Sequence, residues 1–306
     1  MLTPGLNWSM RFSFLVAPIA VVFSVCVQQA HAAAPCDEFV ARLPNVKRAL
    51  CDAADLHPST AKSVAGRPLW TRDIKPDDNL RHASLRVLVV GAIHGDELSS
   101  ASVALHWLRF AEQGLFDLPQ AVHWRFIPVL NPDGLFHQPP RRVNANGVDL
   151  NRNFPTPNWE RDAKTYWENR TRKDPRRYPG VKPLSEPESR FLHEDMQRFK
   201  PQLIVSIHAP YGVLDFDGPR NGGFMPPSRL GRLYLDQVGI FPGSLGNYSG
   251  VHKGVPVVTV ELPNSTRTPL DAEMRQMWLD LLRWISERVG ERAGSAGGGT
   301  APARVP

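Results

Sequence analysis

The chain alternates between nearly continuous apolar runs and stretches with amphipathic spacing. Buried strands are predicted by the apolar runs at residues 84–93, 121–130, 202–209 and 255–262. Helices are predicted by the apolar spacing at residues 97–114, 183–199, 227–239 and 269–290. Strands that alternate with helices in this way predict a single α/β domain. We expect a mixed, mostly parallel central sheet with helices on both faces.

Three regions lie outside this alternation. Residues 33–84 show only a short helical pattern near 36–55 and are predicted to be an irregular N-terminal extension. Residues 131–184 form a long insertion rich in proline, asparagine and arginine, and such a connection without regular structure is usually either functional or disordered. The Gly/Ala/Pro-rich tail at 290–306 is predicted to be disordered. The main folded domain is therefore expected at residues 85–289.

The first 32 residues have the layout of a secretory signal peptide. Arg11 precedes an apolar stretch that ends at Ala30-His31-Ala32, so cleavage is expected after Ala32. The stretch is short for a membrane span and Pro18 interrupts it, although an uncleaved membrane anchor is the alternative. The pattern predicts a periplasmic or secreted protein without a stable membrane anchor after cleavage.

Cysteine usage is consistent with export. Cys36 and Cys51 remain after removal of the predicted signal, and in an oxidising compartment we expect them to form a disulfide that closes a small loop. Two free thiols are the alternative. The remaining sequence has no other cysteine that could act as a nucleophile or a metal ligand.

The charge of the chain is moderately basic. The formal net charge is +6, and basic residues are concentrated at 161–182. A nucleic-acid partner is not predicted, because no nucleic-acid-binding motif accompanies this cluster. A loop that faces an acidic substrate and a solvated surface loop both fit the cluster. Nothing in the sequence indicates an obligate assembly, so we expect a monomer.

Candidate chemistry lies where three of the predicted strands end. His94 and Glu97 follow the first strand, His208 ends a later one, and Glu261 ends the last. In open α/β sheets, ligands bind beyond the carboxyl ends of strands. Two histidines and one glutamate, with a fourth position open, are the ligand set of a catalytic zinc site, so one Zn²⁺ ion is predicted. The alternatives are a surface pair for His94 and Glu97 and a hydrogen-bonded strand-end histidine for His208.

Glu261 is the candidate for acid–base catalysis. Hydrolysis of an amide needs a group that takes a proton from water and passes it to the leaving amine. A structural salt bridge is the alternative for this glutamate. Donors for an oxyanion or a substrate carboxylate are supplied within residues 141–155 by Arg142, Asn144, Asn151 and Arg152. The same segment also fits a polar loop whose asparagines satisfy their own backbone.

Six motifs follow one another along the chain: GAIHGDE, NPDG, RVNANGVDLNRNFP, SEPE, SIHAP and VPVVTVELP. Their order and approximate spacing, over residues 80–288, resemble the zinc carboxypeptidase family. Within that family the chain is similar to the murein peptide amidases, in its compact size and in the segments NANGVDLNRNFP and GSLGNYSG.

The resemblance implies a role for each candidate residue. One zinc ion would be bound by His94, Glu97 and His208. Glu261 would act first as general base and then as general acid, and Arg142 would polarise the scissile carbonyl and hold the oxyanion. The terminal carboxylate of the departing residue would be held by Asn151 and Arg152.

The chain departs from the family at the specificity pocket. No tyrosine stands where digestive carboxypeptidases carry a mobile one, because Tyr248 lies later in the sequence. Gly246 and Asn247 match the pocket floor best, and they predict a floor that is neither apolar-lined nor acidic. Such a floor leaves room for a polar, zwitterionic side chain such as that of meso-diaminopimelate. The basic insertion at 156–183 is expected to cover the site.

The resulting hypothesis is an exported zinc-dependent amidase or carboxypeptidase of peptidoglycan peptides, which cuts the γ-D-glutamyl–meso-diaminopimelate bond. One alternative is a zinc carboxypeptidase that acts on ordinary peptides. A deacylase of N-acyl amino acids is another, although NPDG and the long C-terminal half favour a peptidase. A catalytically inactive binding protein is disfavoured, because all candidate ligands and the base are present.

Overall fold

A computed structural model of the chain describes residues 35–77, 84–114, 118, 121–219 and 225–296, together with Met1 and Gly5. The predicted signal peptide and residues 297–306 of the predicted tail therefore lie outside the described residues, apart from those two positions. The described residues from 35 to 296 belong to one compact unit. Among the helices that the structure describes, none is both long enough and apolar enough to cross a membrane.

Nine strands and seven α-helices make up the described fold. The strands are β1 (His57–Lys62), β2 (Pro68–Ile74), β3 (Leu85–Val90), β4 (Val122–Ile127), β5 (Leu203–His208), β6 (Val213–Asp217), β7 (Arg229–Leu230), β8 (Leu233–Tyr234) and β9 (Val257–Glu261). The helices are α1 (Cys36–Arg42), α2 (Arg48–Ala53), α3 (Leu98–Glu112), α4 (Pro132–Phe136), α5 (Trp159–Thr165), α6 (Pro187–Phe199) and α7 (Asp271–Ala296).

Seven of the strands form one sheet in the order β1-β2-β4-β3-β5-β9-β6. The four central strands pair in parallel, whereas β1, β2 and β6 are antiparallel to their neighbours. The inner strands β3 and β5 are buried almost throughout, which explains why they read as continuous apolar runs. The prediction of a mixed sheet with a parallel centre is confirmed.

Helices cover both faces of this sheet. Val87 and Val89 of β3 belong to a core shared with α3 and α7, where the indoles of Trp107 and Trp278 lie 5.5 Å apart. The alternate residues of β3 belong to a second core on the opposite face, together with Leu192 of α6. Successive strand residues point to opposite faces, so one apolar strand supplies both cores.

The N-terminal region was predicted to be irregular, and for β1 and β2 that prediction is wrong. Both strands extend the central sheet at one edge. Their sequences, HPSTAK and PLWTRDI, bury few side chains, of which Leu69 and Trp70 are the main ones. A strand with so few buried apolar residues leaves no periodic signal in the sequence. The helical pattern near 36–55 is accounted for by α1 and α2, and the expected disulfide joins Cys36 to Cys51.

Residues 227–239 were predicted to be a helix, but they form the two-stranded hairpin of β7 and β8. Leu230 and Leu233 are both buried, and their spacing of three mimics a helical pattern. Gly231 between them has a positive φ of 58° and its N–H donates to Asp280 of α7. A residue in that conformation turns the chain back, which brings both leucines to the same side without a helix.

The long insertion at 131–184 is ordered by side-chain hydrogen bonds. It contains α4, α5 and three short helical turns at Leu150–Arg152, Tyr166–Arg170 and Pro175–Arg177. Asn153 organises its return path, because its amide donates to the carbonyls of Pro179 and Lys182 at 2.8 and 3.0 Å. At the other end of the chain, α7 continues to Ala296, beyond residue 290, where disorder was predicted to begin.

Removal of the disulfide is expected to destabilise the fold. The bond closes a loop of 15 residues, for which loss of the constraint on the unfolded chain corresponds to about 3 kcal/mol. Replacement of both Cys36 and Cys51 by alanine should lower the free energy of unfolding by about this amount, measured by urea denaturation. A reducing agent serves as the control, since it should lower the free energy of unfolding of the wild type and leave that of the double variant unchanged. Equal unfolding free energies for the oxidised wild type and the variant would contradict the expectation.

Candidate functional site

The carboxyl ends of the parallel strands open into one cavity of about 610 Å³. His208 ends β5 and Glu261 ends β9, and the two residues are paired in register across the strands. His94 and Glu97 lie in the connection from β3 to α3, beside the same edge of the sheet. Because these strands are parallel, three distant segments deliver their polar residues to one place.

His94, Glu97 and His208 form a compact group of buried ligands. The Nδ1 atoms of His94 and His208 lie 2.8 and 3.1 Å from Oε1 and Oε2 of Glu97, respectively. One donor atom from each of the three residues lies within 4.8 Å of the others. Ligands at about 2.0 Å from a zinc ion in a tetrahedral site are separated by about 3.3 Å. The set of donor atoms therefore fits a divalent cation of that kind.

The orientation of both imidazoles is held from the far side of each ring. His94 Nε2 lies 3.1 Å from Asp149 Oδ1, and His208 Nε2 lies 2.9 Å from the hydroxyl of Ser206. A partner on the outer nitrogen orients the ring and leaves the other nitrogen available as a ligand. Both rings thus present Nδ1 toward Glu97.

Asp149 is a site residue that the sequence analysis missed. It is fully buried, and besides His94 it accepts hydrogen bonds from Arg142 Nε at 3.0 Å and from the N–H of Asn151 at 3.0 Å. Burial opposes its ionised form, but the charges of Arg142 and His94 outweigh that effect and hold its pKa well below the usual range. Its position two residues before Asn151 in DLNR was the available signal. Nothing in the sequence alone shows that this carboxylate faces a metal ligand.

Arg142 connects the ligand group to the cavity. Its Nη1 lies 3.5 Å from Glu97 Oε1, and its Nε donates to Asp149. Burial disfavours its charged form, yet Asp149 and Glu97 raise its pKa above the ordinary value. The guanidinium lines the cavity and carries a full positive charge next to the ligands. Such a group can stabilise negative charge on a substrate oxygen.

Glu261 lies at the cavity and forms no ion pair with the residues that the structure describes. Its carboxyl lines the cavity, and Oε2 is buried without a hydrogen-bond partner among the residues that the structure describes. Burial raises its pKa above the usual range for a glutamate, although the nearby His208 opposes that shift. A carboxylate with a raised pKa and a free oxygen can exchange a proton with a bound molecule.

Arg152 and Asn151 face the cavity from the turn that follows Asp149. The guanidinium of Arg152 is only 3% exposed, packs 4.4 Å above the ring of Phe241, and leaves Nε without a partner among the described residues. Burial lowers the pKa of Arg152 to about 10, so the group stays charged at neutral pH. Asn151 Oδ1 accepts the N–H of Leu245 at 2.8 Å, which orients its amide. A charged guanidinium that lines a cavity is suited to a substrate carboxylate.

Two predicted substrate-binding residues do not line the cavity, and both predictions are corrected. Asn144 is buried elsewhere, where its amide donates to Glu186 at 2.8 Å and to Glu188 at 3.1 Å. The amide of Asn247 donates to the carbonyl of Phe241 at 3.0 Å. Asn144 thus binds neighbouring side chains, and Asn247 binds a loop carbonyl. Gly246 does line the cavity.

The expected character of the pocket floor is also wrong. Asp215, Asp217 and Asp236 line the cavity, so its floor is acidic. The first two come from β6, whose alternate residues face the cavity. The antiparallel pairing of β6 with β9 brings these carboxylates beside the site. No motif in the sequence predicts that pairing.

The basic insertion contributes to the cavity wall, as expected. Tyr166, Arg176 and Arg177 line the cavity. Arg176 Nη2 lies 2.8 Å from Asp96 Oδ2, which ties the insertion to the loop that carries two of the ligands. This pair is exposed, so it contributes little to stability, but it places positive charge at the mouth of the site.

Comparison with known proteins agrees with this geometry. Residues 51–215 match the family model described as zinc carboxypeptidase. Murein peptide amidase A of Escherichia coli (strain K12) is 31% identical over 203 residues, which cover 64% of this chain and 79% of that protein. Murein peptide amidase A of Vibrio campbellii is 31% identical over 220 residues, which cover 71% of this chain and 81% of that protein.

Solved structures share the fold. Murein-tripeptide amidase from Escherichia coli O157 aligns with a TM-score of 0.50 and 28% identity, over 73% of this chain and 90% of that one. Bovine thrombin-activatable fibrinolysis inhibitor aligns with a TM-score of 0.58 over 85% of this chain and 97% of that one, and at 16% identity it supports the fold alone. The family match, the curated relatives and the His94–Glu97–His208 group agree with one another. The chain belongs to the zinc carboxypeptidase family and is a metal-dependent hydrolase.

Proposed function

We propose that this protein is an exported murein peptide amidase that hydrolyses the γ-D-glutamyl–meso-diaminopimelate bond of peptidoglycan peptides. The observation that carries the proposal is a complete hydrolytic group around one cavity: a His₂Glu ligand set, a free buried glutamate and a buried arginine. The 31% identity to murein peptide amidases supports the choice of substrate class. The signal-like sequence at 1–32 supports export to the periplasm or beyond.

One zinc ion is proposed for the ligand group. His94, Glu97 and His208 would hold it, and their donor atoms suit zinc by type and by spacing. When bound, zinc supplies Lewis acidity that polarises a carbonyl and makes a water more acidic. Asp149 and Ser206 lie within hydrogen-bonding distance of the outer nitrogens of the two imidazoles and would hold the rings in orientation.

The substrate would be held at both ends of its last residue. Arg152 and Asn151 would bind the terminal carboxylate, because both line the cavity and Arg152 keeps its charge there. Arg142 would lie beside the scissile carbonyl, since it lines the cavity next to Glu97. Its charge would stabilise the oxyanion that develops there. Fixing the peptide at two points aligns the amide for attack by water.

Glu261 would carry the proton. As a carboxylate it would accept a proton from the attacking water, and as a carboxylic acid it would then donate that proton to the leaving amine. Its raised pKa favours this exchange, because the two protonation states become closer in energy near neutral pH. No other carboxylate with a free buried oxygen lies at the end of a central strand in the described part of the chain.

A carboxypeptidase of ordinary peptides is the second candidate, because the ligand group and the arginine would serve either substrate. The deciding experiment incubates the zinc-loaded protein with L-Ala-γ-D-Glu-meso-diaminopimelate and, separately, with peptides of ordinary α-linkage. Release of diaminopimelate that a chelator abolishes would support the proposal. Cleavage of ordinary peptides alone would replace it with the second candidate. Inactivity on both sets would reject both.

Replacement of Glu261 by glutamine should lower kcat by at least about a hundredfold, because the amide cannot accept or donate the proton. The measurement is steady-state hydrolysis at saturating substrate, with metal content determined in parallel. Bound metal should be retained, since Glu261 is not one of the ligands. Glu160→Gln, on the exposed surface of α5, is the matched control. Near-wild-type turnover of Glu261→Gln would remove Glu261 from the mechanism.

Replacement of Arg152 by alanine should weaken catalysis of peptides with a free terminal carboxylate by about 10- to 100-fold, the range for a lost charged hydrogen bond. For the same peptides with an amidated terminus, the substitution should lower kcat/KM far less. The measurement compares kcat/KM for the two series. Arg161→Ala, an exposed arginine of α5, should leave both series unchanged. Equal losses on acids and amides would exclude a carboxylate-binding role.

Replacement of Asp149 by asparagine should weaken zinc binding by about 10- to 100-fold, the usual effect of losing a carboxylate behind a ligating histidine. Competition with a chelator of known affinity measures this directly and does not depend on the substrate. Asp162→Asn, an aspartate of α5 that does not line the cavity, is the control. Unchanged zinc affinity in Asp149→Asn would show that the carboxylate does not support His94.

A further inference from the structure

Three buried carboxylates lie outside the cavity lining and take no part in the proposed chemistry. Asp133 belongs to the NPDG motif, and Glu186 and Glu188 belong to SEPE. Asp133 accepts hydrogen bonds from the hydroxyl of Ser63 at 2.7 Å and from the N–H of Ala65 at 2.9 Å, which ties it to the turn between β1 and β2. Both motifs therefore need an explanation other than contact with the substrate.

Asn144 joins two of these carboxylates to its own loop. Its Nδ2 donates to Oε2 of Glu186 at 2.8 Å and to Oε2 of Glu188 at 3.1 Å. Its Oδ1 accepts the N–H groups of Asn146 and Val148 at 3.1 and 3.0 Å. An amide has two N–H donors and two acceptor lone pairs, so every hydrogen-bonding position of this side chain is used. The turn that these bonds close is thereby fixed to the start of α6.

The turn closed by Asn144 lies between the two arginines that face the cavity. Arg142 stands two residues before Asn144, and Arg152 stands eight residues after it. Asp149 directly follows the turn and accepts the backbone N–H of Asn151. A displacement of the turn would therefore change the position of Arg152 relative to Arg142. Misplacement of a substrate-holding group by about 1 Å can lower catalysis about a hundredfold.

Glu188 is a carboxylate in a position where its charge is unfavourable. The side chain is fully buried and forms no ion pair with the residues that the structure describes. Burial raises its pKa to about 7, and the nearby charge of Asp133 adds to that effect. The position uses two acceptors, since Oε1 accepts the N–H of Val64 at 3.1 Å and Oε2 accepts the amide of Asn144. A glutamine would turn its NH2 group against one of these donors, so the two bonds explain the carboxylate.

We propose that Glu188 is a positioning residue: through Asn144 it holds the segment at 142–152 in the geometry that substrate binding requires. The bond to Val64 fastens the same carboxylate to the turn between β1 and β2. The inference rests on the proposed function, because it assumes that the arginines of this segment hold the substrate. Glu188 itself lies outside the cavity lining. Its loss should therefore misplace the arginines without removing a group that contacts the peptide.

The test compares two buried carboxylates that bind the same turn. Glu188→Gln removes one of the acceptors that Asn144 and the turn share, whereas Asp133→Asn alters a residue bonded to the turn alone. For the zinc-loaded proteins, kcat/KM is measured with peptides that end in a free carboxylate and with their amidated versions. Glu188→Gln should lower the acid-to-amide ratio at least about tenfold, because Arg152 is misplaced. Asp133→Asn should keep the wild-type ratio.

A purely structural role for Glu188 predicts a different result. Both variants would then have a lower free energy of unfolding in urea, and the acid-to-amide ratio would stay at the wild-type value in each. That result would overturn the proposal. An equal fall of the ratio in both variants would also overturn it, because the effect would then not depend on contact with Asn144.

A double-mutant cycle tests whether Glu188 acts through Asn144. Asn144→Ala should lower the acid-to-amide ratio at least as much as Glu188→Gln, since it removes the same contact from the other side. The combined variant should lose no more than Asn144→Ala alone. Losses that add would show that Glu188 acts by another route. If Glu188→Gln does not fold, the comparison of Asn144→Ala with Asp133→Asn decides the matter, and an unchanged ratio in Asn144→Ala rejects the proposal.

Amide hydrogen exchange gives a readout that does not depend on the substrate. In Glu188→Gln the segment at 144–152 should exchange at least about tenfold faster than in the wild type, the factor expected for one lost hydrogen bond. In Asp133→Asn that segment should keep its wild-type rate. If the wild type cleaves neither peptide series while Glu188→Gln still speeds this exchange, the proposed function fails and the anchoring by Glu188 stands. If the peptides are cleaved but neither the exchange nor the ratio changes, the role of Glu188 fails and the proposed function stands.

Discussion

The parallel register of β3, β5 and β9 is the constraint on which the rest of the site depends. It sets the carboxyl ends of three strands at one edge, with His208 directly beside Glu261. A one-residue slip in any of these pairs would turn the terminal side chain to the opposite face of the sheet. The strands resist such a slip because both of their faces are buried in separate apolar cores. The apolar core therefore defines the position of the polar chemistry.

Because the site is buried, its charged side chains need partners within the protein, and Asp149 is the partner that several of them share. Histidines, a glutamate and arginines lie together with almost no access to solvent, and each buried charge needs a partner. Asp149 is hydrogen-bonded to His94, to Arg142 and to the backbone of Asn151 at the same time. It thereby joins the ligand group to the segment that carries Arg152. The same carboxylate therefore contacts both the candidate ligand group and the segment that carries Asn151 and Arg152.

The insertion and the N-terminal segment show how polar sequence can build ordered structure. Asn153 binds carbonyls of the returning chain, and Asn144 accepts the N–H groups of Asn146 and Val148. Side chains of this kind replace the missing secondary-structure hydrogen bonds of a long connection. The result is a firm wall that carries Arg176 and Arg177 to the mouth of the cavity. Long polar segments of this type are part of the site and not an addition to it.

The sequence by itself determined the parallel centre of the sheet and placed His94, Glu97, His208 and Glu261 at the ends of its strands. These features rest on local signals: continuous apolar runs define buried strands, and polar residues at their ends define the site. Tertiary structure alone decided the pairing of β1 and β2 with the sheet, the hairpin at Gly231, the contacts of Asp149 and the acidic floor formed by Asp215 and Asp217. In each of these cases the meaning of a residue depends on a partner far along the chain. A periodic sequence pattern does not show which distant strand or side chain will lie opposite a given residue.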